Sequence, residues 1–315
     1  MKMEIPVYLF TGFLESGKTK FIQETLEDPR FKTGEKTLLI MCEEGETQYD
    51  PSCFSEKNVV METIDDESEV TPQKLAAFEM KYNPSRVLIE YNGMWMLDGL
   101  VQAMPEDWLI YQEITFADAR TYNTYNANMR SLVVDKLNGC ELVVFNRWSP
   151  DIKQDDLHKI VRGISRRTDI IYEDIKGNVQ YDEIQDPLPF DINAPVIEIA
   201  DRDYAIWYRD FSEDMQKYVG KTVKFKGLAG TKGGIPSNSF VVGRHVMTCC
   251  VDDVAFKGLV CVCDKPHNLK NRTWITVTAK ISMGEHVAYK GKGPILNFIS
   301  MEPAEKPDQE VATFY

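Results

Sequence analysis

Residues Gly12-Phe-Leu-Glu-Ser-Gly-Lys-Thr19 constrain this chain more than any other stretch. They carry the spacing G-x-x-x-x-G-K-[ST], directly after the apolar run Ile5–Phe10 and directly before a helical stretch opening at Lys18. A strand, glycine loop and helix in that order aim successive backbone N–H groups and a helix N-terminus at one point, which is a cradle for an anion. On this pattern Lys18 neutralises β- and γ-phosphate charge and the Thr19 hydroxyl ligates Mg²⁺. Gly12, Glu15, Ser16, Gly17 and Lys20 complete the candidate phosphate-binding segment. The competing reading is a glycine-rich turn after a buried strand, with no ligand.

The rest of the chain has room for two domains. It holds 315 residues, 43% hydrophobic and 27% charged, a globular composition. Short, nearly continuous apolar runs predict strands at Ile5–Phe10, Thr37–Cys42, Val87–Glu90, Ile110–Ala117, Glu141–Asn146 and Asp169–Tyr172. Helices are expected at Lys18–Glu27, Thr71–Lys81 and Ser149–Ser165, with Thr71-Pro-Gln-Lys as an N-cap followed by proline. Alternating β and α implies an α/β domain with a mainly parallel sheet, over residues 1–185. The stretch 186–204 is Pro-rich and reads as a linker. From 205 to 315, glycines punctuate five strand-like runs, which fits a small all-β, OB-like barrel.

Charge divides at the same place. Residues 205–315 carry 15 Lys+Arg and 11 Asp+Glu, a net of +4, whereas residues 1–204 carry −17. The whole chain, at −13, lacks the basic footprint of a free nucleic-acid binder. Trp274, Phe225 and Tyr289 on the basic half are the best case for a base-stacking surface, and rank below a protein contact. No apolar run approaches the roughly 18 residues of a membrane span. The start Met1-Lys-Met-Glu-Ile-Pro does not have the shape of a signal peptide. Seven cysteines, odd in number and unevenly spread, do not form a secreted framework, so a cytoplasmic protein with reduced thiols is expected.

Three further groups carry chemistry. Val87-Leu-Ile-Glu-Tyr-Asn-Gly93 ends a buried strand in Glu90, a candidate Mg²⁺-side carboxylate, with the Gly93 amide placed to reach a γ-phosphate. Glu43, Glu44, Glu46 and Asp50 follow the second strand, where α/β sheets bind ligands; Glu43 or Glu46 would orient water or Mg²⁺. Lastly, His245, Cys249, Cys250, Cys261 and Cys263 fall on two neighbouring strand candidates. If those strands pair, the thiols and imidazole could converge on Zn²⁺; the plain alternative is that cysteine packs as a small hydrophobe.

Over residues 4–180 the sequence resembles the CobW-type family of small P-loop GTPases, which includes metallochaperones and metal-insertion proteins. The family's Gly-Phe-Leu-Gly-Ser-Gly-Lys-Thr-Thr is similar to Gly12–Lys20. Its Asn-Glu-Phe-Gly-Glu-Val-Gly-Ile-Asp is similar to Cys42–Asp50, matching at Glu43, Gly45, Glu46 and Asp50. Its Ile-Glu-Thr-Thr-Gly is similar to Ile89–Gly93, and its base-reading Asn-Lys-x-Asp to Asn146-Arg-Trp-Ser149. The resemblance implies a Mg²⁺-dependent GTP-binding protein with slow hydrolysis, in which Lys18, Glu43 and Glu90 act on the phosphates and Asn146 and Arg147 meet the base. The implied role is a nucleotide switch in metal homeostasis, with a client metalloprotein or transporter subunit as partner. Arg244, Cys249, Cys250 and Asp252 also resemble a small bacterial domain found beside permease subunits.

The departures are informative. The family's Cys-x-Cys-Cys belongs between Asp50 and Glu90, an interval holding only Cys53, so the usual soft-metal thiolate site is absent. Ser149 replaces the base-reading Asp and cannot accept two hydrogen bonds from guanine; Asp151 is a candidate substitute. Glu15 replaces a loop glycine and places a carboxylate beside phosphates unless it turns away. Two other readings therefore stand: a non-hydrolysing adaptor of a transporter, and a metal-binding protein using the C-terminal cysteines.

Overall fold

The computed structural model describes residues 4–231, 234–248, 254–289 and 291–314. The chain divides into two units, Met1–Ile184 and Gln185–Tyr315. No helix among the described residues is long and apolar enough to cross a membrane.

In chain order the first unit contains β1 (Ile5–Thr11), α1 (Lys18–Glu27), β2 (Thr37–Met41), β3 (Val59–Thr63), α2 (Pro72–Tyr82), β4 (Arg86–Glu90), α3 (Leu97–Ala103), β5 (Trp108–Asp118), α4 (Tyr122–Asn128), α5 (Arg130–Asn138), β6 (Leu142–Asn146), α6 (Gln154–Arg162), β7 (Asp169–Glu173) and β8 (Val179–Tyr181). The strands form one sheet, ordered β3-β2-β4-β1-β5-β6-β7-β8. Every pairing is parallel except β7–β8, which is antiparallel. The expected mainly parallel P-loop sheet is what the chain forms.

Strand alternation decides which helices cover which face. Ile5, Val7 and Leu9 of β1 pack with Leu75 and Phe78 of α2 and Leu97 and Leu100 of α3. Phe10 packs with Ile22 and Leu26 of α1. Further along the sheet, Val143 and Phe145 of β6 pack with Val133 of α5 and Leu157 of α6. Thr71 caps α2 by accepting from the Lys74 amide at 3.2 Å, with Pro72 opening the helix. The strands β3 and β8 are not among the sequence expectations. Both are half-buried or exposed, so neither shows a continuous apolar run.

The second unit adds β9 (Ile197–Ile199), α7 (Tyr204–Glu213), β10 (Thr222–Gly230), β11 (Ser239–Val246), β12 (Ala255–Val262), β13 (Thr273–Glu285), β14 (Lys292–Pro303) and β15 (Val311–Ala312). Five strands close on themselves in the order β10-β11-β12-β14-β13-β10, a Greek-key barrel of the OB kind. β9 adds to β10 and β15 to β11, both parallel. β9 lies within the Pro-rich stretch, where Ile197 and Ile199 are buried. The alternation at Thr273–Ala279 buries Ile275, Val277 and Ala279 in the core. Phe225 is core as well, its ring 4.8 Å from that of Trp207 on α7, so it is not offered to a base.

Candidate functional site

The segment Gly12–Gly17 links β1 to α1 at the carboxyl end of the sheet, where open α/β sheets bind ligands. Its path is set by residues with positive φ: Gly12 at 125°, Glu15 at 58° and Gly17 at 105°. Gly12 is required twice over. Its φ suits glycine, and a Cβ there would sit 2.0 Å from the Phe116 carbonyl oxygen. Gly12→Ala is therefore expected to destabilise the protein by about 1–3 kcal/mol or more. The urea midpoint should fall with an unchanged slope, and an unchanged midpoint would contradict this backbone path.

The loop leaves its polar groups pointed inward. Lys18 is buried, its Nζ donating to the Gly12 carbonyl at 2.7 Å, the Phe13 carbonyl at 3.1 Å and Glu43 Oε2 at 2.5 Å. The Ser16 hydroxyl is buried and has no hydrogen-bond partner among the described residues. Thr19 Oγ1 donates to Glu90 Oε1 at 2.6 Å, and the Tyr49 hydroxyl donates to Glu90 Oε2 at 2.5 Å. Burial pushes the Glu90 carboxyl above the ordinary carboxylate range, opposed by the Thr19 and Tyr49 donors and by Lys18. A buried ammonium, a partnerless hydroxyl and a hydroxyl–carboxylate pair form a donor set that fits a polyphosphate and its divalent cation.

Gly93 closes the loop from the other side. A Cβ on Gly93 would lie 2.5 Å from the Gly12 carbonyl oxygen, and its amide is 3.5 Å from Glu43 Oε1. Glu43 thus touches both Lys18 and the segment after β4. The other acidic residues after β2 separate by role. Glu44 lines an adjoining cavity of about 440 Å³ with Met41, Met61 and Asp65. The Glu46 amide donates to Glu15 Oε1 at 2.8 Å, so the Glu15 carboxylate is tied to the loop after β2. Asp50 caps the short 3-10 turn Pro51–Cys53 by accepting from the Ser52 amide at 3.0 Å.

The end of β6 supplies the next wall. Asn146 Nδ2 donates to the Ser16 carbonyl at 2.9 Å. Arg147, at φ 55°, donates through Nε to Asp118 at 2.7 Å and through its guanidinium to the Glu15 carbonyl. Burial would raise Asp118, but the Arg120 and Arg147 guanidiniums outweigh it and hold the carboxyl at about 2. A cavity of about 280 Å³ joins Glu15–Lys20, Glu43, Glu90, Asn146 and Arg147. It also takes in Glu173, Asp174 and Ile175, which sequence reasoning missed, as it missed Tyr49.

The C-terminal Cys/His set fares differently. β11 and β12 do pair, but the register sets His245 opposite Phe256 and Phe240 opposite Cys261. Five residues along a strand is about 17 Å, so His245 and Cys261 do not meet. Cys261 and Cys263 are buried, and burial pushes both thiols up. Cys249, Cys250 and Asp252 lie outside the described residues. Among the described residues no three His, Cys, Asp or Glu side chains group as a metal site.

Comparison with known proteins adds family evidence. The CobW/HypB/UreG nucleotide-binding domain matches residues 6–171, and the DUF1980 C-terminal domain matches residues 176–312. No curated protein matches the chain. Among solved structures, the Zn(II)-bound YjiA GTPase from E. coli is 15% identical, with 86% of this chain and 92% of that chain covered and a TM-score of 0.42. The hydrogenase maturation factor HypB from Archaeoglobus fulgidus is 16% identical, with 55% and 82% covered and a TM-score of 0.39.

Proposed function

The chain belongs to the CobW/HypB/UreG nucleotide-binding family, and from that premise we propose that it is a Mg²⁺-dependent GTP-binding protein that hydrolyses GTP slowly, as a switch in metal homeostasis or delivery. One observation carries this reading: Lys18, Thr19, Glu43 and Glu90 converge at the mouth of the glycine loop, with Lys18 on Glu43 and Thr19 on Glu90. In the bound state Lys18 exchanges the Glu43 carboxylate for phosphate oxygens. Glu43, released beside the Gly93 amide, is then placed to orient a water. The Ser16 hydroxyl gains the partner it lacks. Thr19 and Glu90 are the residues that would hold Mg²⁺, which would screen phosphate charge. Catalysis by such a site is positioning and charge stabilisation. The partner that reads the switch is a client metalloprotein or a transporter subunit.

Two measurements test it. GTP with Mg²⁺ at a hundred times its Kd should stabilise the fold by about 2.7 kcal/mol. That is a rise in Tm of roughly 5–10 °C for a unit of this size. Melting curves that ignore every nucleotide would overturn the reading. Single-turnover hydrolysis then separates a slow GTPase from an adaptor that binds without cleaving.

A further inference from the structure

We infer that Glu173, the last residue of β7, is the carboxylate that reads the nucleotide base, in place of the acidic residue that Ser149 does not supply. The inference rests on the nucleotide-binding reading above and extends it to base choice. Guanine presents two adjacent donors, N1–H and the 2-amino group, and one carboxylate can accept both. Adenine presents one donor and one acceptor on the corresponding edge and cannot satisfy a carboxylate in that way.

Ser149 and its neighbour are otherwise engaged. The Ser149 hydroxyl bonds to Asp151, and its carbonyl accepts from the Ile152 amide at 2.9 Å. Glu173 is brought to the same wall by the backbone, because the Trp148 amide donates to the Glu173 carbonyl at 2.9 Å. It lines the cavity that also holds Asn146 and Arg147. Its carboxylate meets the Lys20 ammonium at 3.9 Å, a loose pair in which Lys20 is 58% exposed. Asp174, also on the cavity, is committed elsewhere. It accepts from the Lys176 amide at 2.7 Å, the Asn178 amide at 2.9 Å and Asn178 Nδ2 at 2.7 Å. Ile175 is 81% exposed on the same cavity, an apolar surface that a purine face would cover.

The test is equilibrium binding of GTP, ITP, XTP and ATP with Mg²⁺, by calorimetry, to the wild type and to Glu173→Gln. ITP lacks the 2-amino group, and XTP carries an oxygen acceptor there. The wild type should prefer GTP over ITP and over XTP by about tenfold or more. Glu173→Gln replaces one acceptor with a donor, so GTP affinity should fall about ten- to hundredfold while XTP affinity rises. A role confined to the Lys20 pair would not move the GTP-to-XTP ratio, and an unmoved ratio overturns the inference. Equal wild-type affinity for GTP and ITP overturns it without any variant. A wild type that binds none of the four removes the nucleotide-binding reading itself.

Discussion

Lys18→Ala is expected to remove the nucleotide response altogether. Its ammonium is the cation held inside the loop, at the point where the Gly12 and Phe13 carbonyls and Glu43 meet. A hydrogen bond to a charged group is worth about 1.5–3 kcal/mol, and this one side chain serves two phosphates. Affinity for Mg·GTP should therefore fall about 100- to 1,000-fold, and the thermal shift should vanish at concentrations that saturate the wild type. The substitution has a second effect, because it strands Glu43 without its partner. Breaking a buried pair costs about 3–5 kcal/mol, so the variant alone should also melt lower. Lys18→Ala with Glu43→Gln separates the two. The double variant should regain most of the lost stability and none of the nucleotide response. A double variant that binds Mg·GTP like the wild type would exclude Lys18 from phosphate binding.

The parts of this molecule legible in the sequence are those set by local spacing. The loop from Gly12 to Thr19, the strand ending in Glu90 and the cap at Thr71 each follow from a few consecutive residues. So does the barrel strand at Thr273–Ala279, whose alternation alone assigns its inner face. What was not legible depends on where distant backbone turns. Tyr49 reaches Glu90 because the irregular stretch after β2 folds back over α1, as the bonds between Asp50 and Gln23 record. Glu173 joins the cavity through one amide of the β6 end and the tight Asp174–Asn178 turn, and no periodicity announces either. The candidate zinc set is a related case: its two strands do pair, but the register between β11 and β12 is fixed by packing and separates His245 from Cys261, while Cys249 and Cys250 lie outside the described residues.

Glu113→Gln should make the protein more stable at alkaline pH. Glu113 lies in the middle of β5 and is 7% exposed, with Oε1 lacking a hydrogen-bond partner among the described residues. Burial pushes its carboxyl up to about 7, assisted by Asp135 and Glu141 and opposed by the buried Lys136. Lys136 spends its own donors on the Trp95 carbonyl and on Asp135 at 2.6 Å. The sign follows from linkage. Below the ordinary glutamate value of 4.5 both folded and unfolded chains hold this proton, and the group is neutral to stability. Between 4.5 and about 7 the unfolded chain releases it while the folded chain keeps it, so stability falls as pH rises. Above about 7 the folded chain carries a buried carboxylate at a penalty of about 3 kcal/mol, at 1.36 kcal/mol per pKa unit. The amide in Glu113→Gln cannot ionise. Urea denaturation at pH 8 should show the variant stabler by about 2–3 kcal/mol, with the gain gone by pH 4.5. A difference of the same size at both pH values would mean that ionisation of Glu113 is not its source.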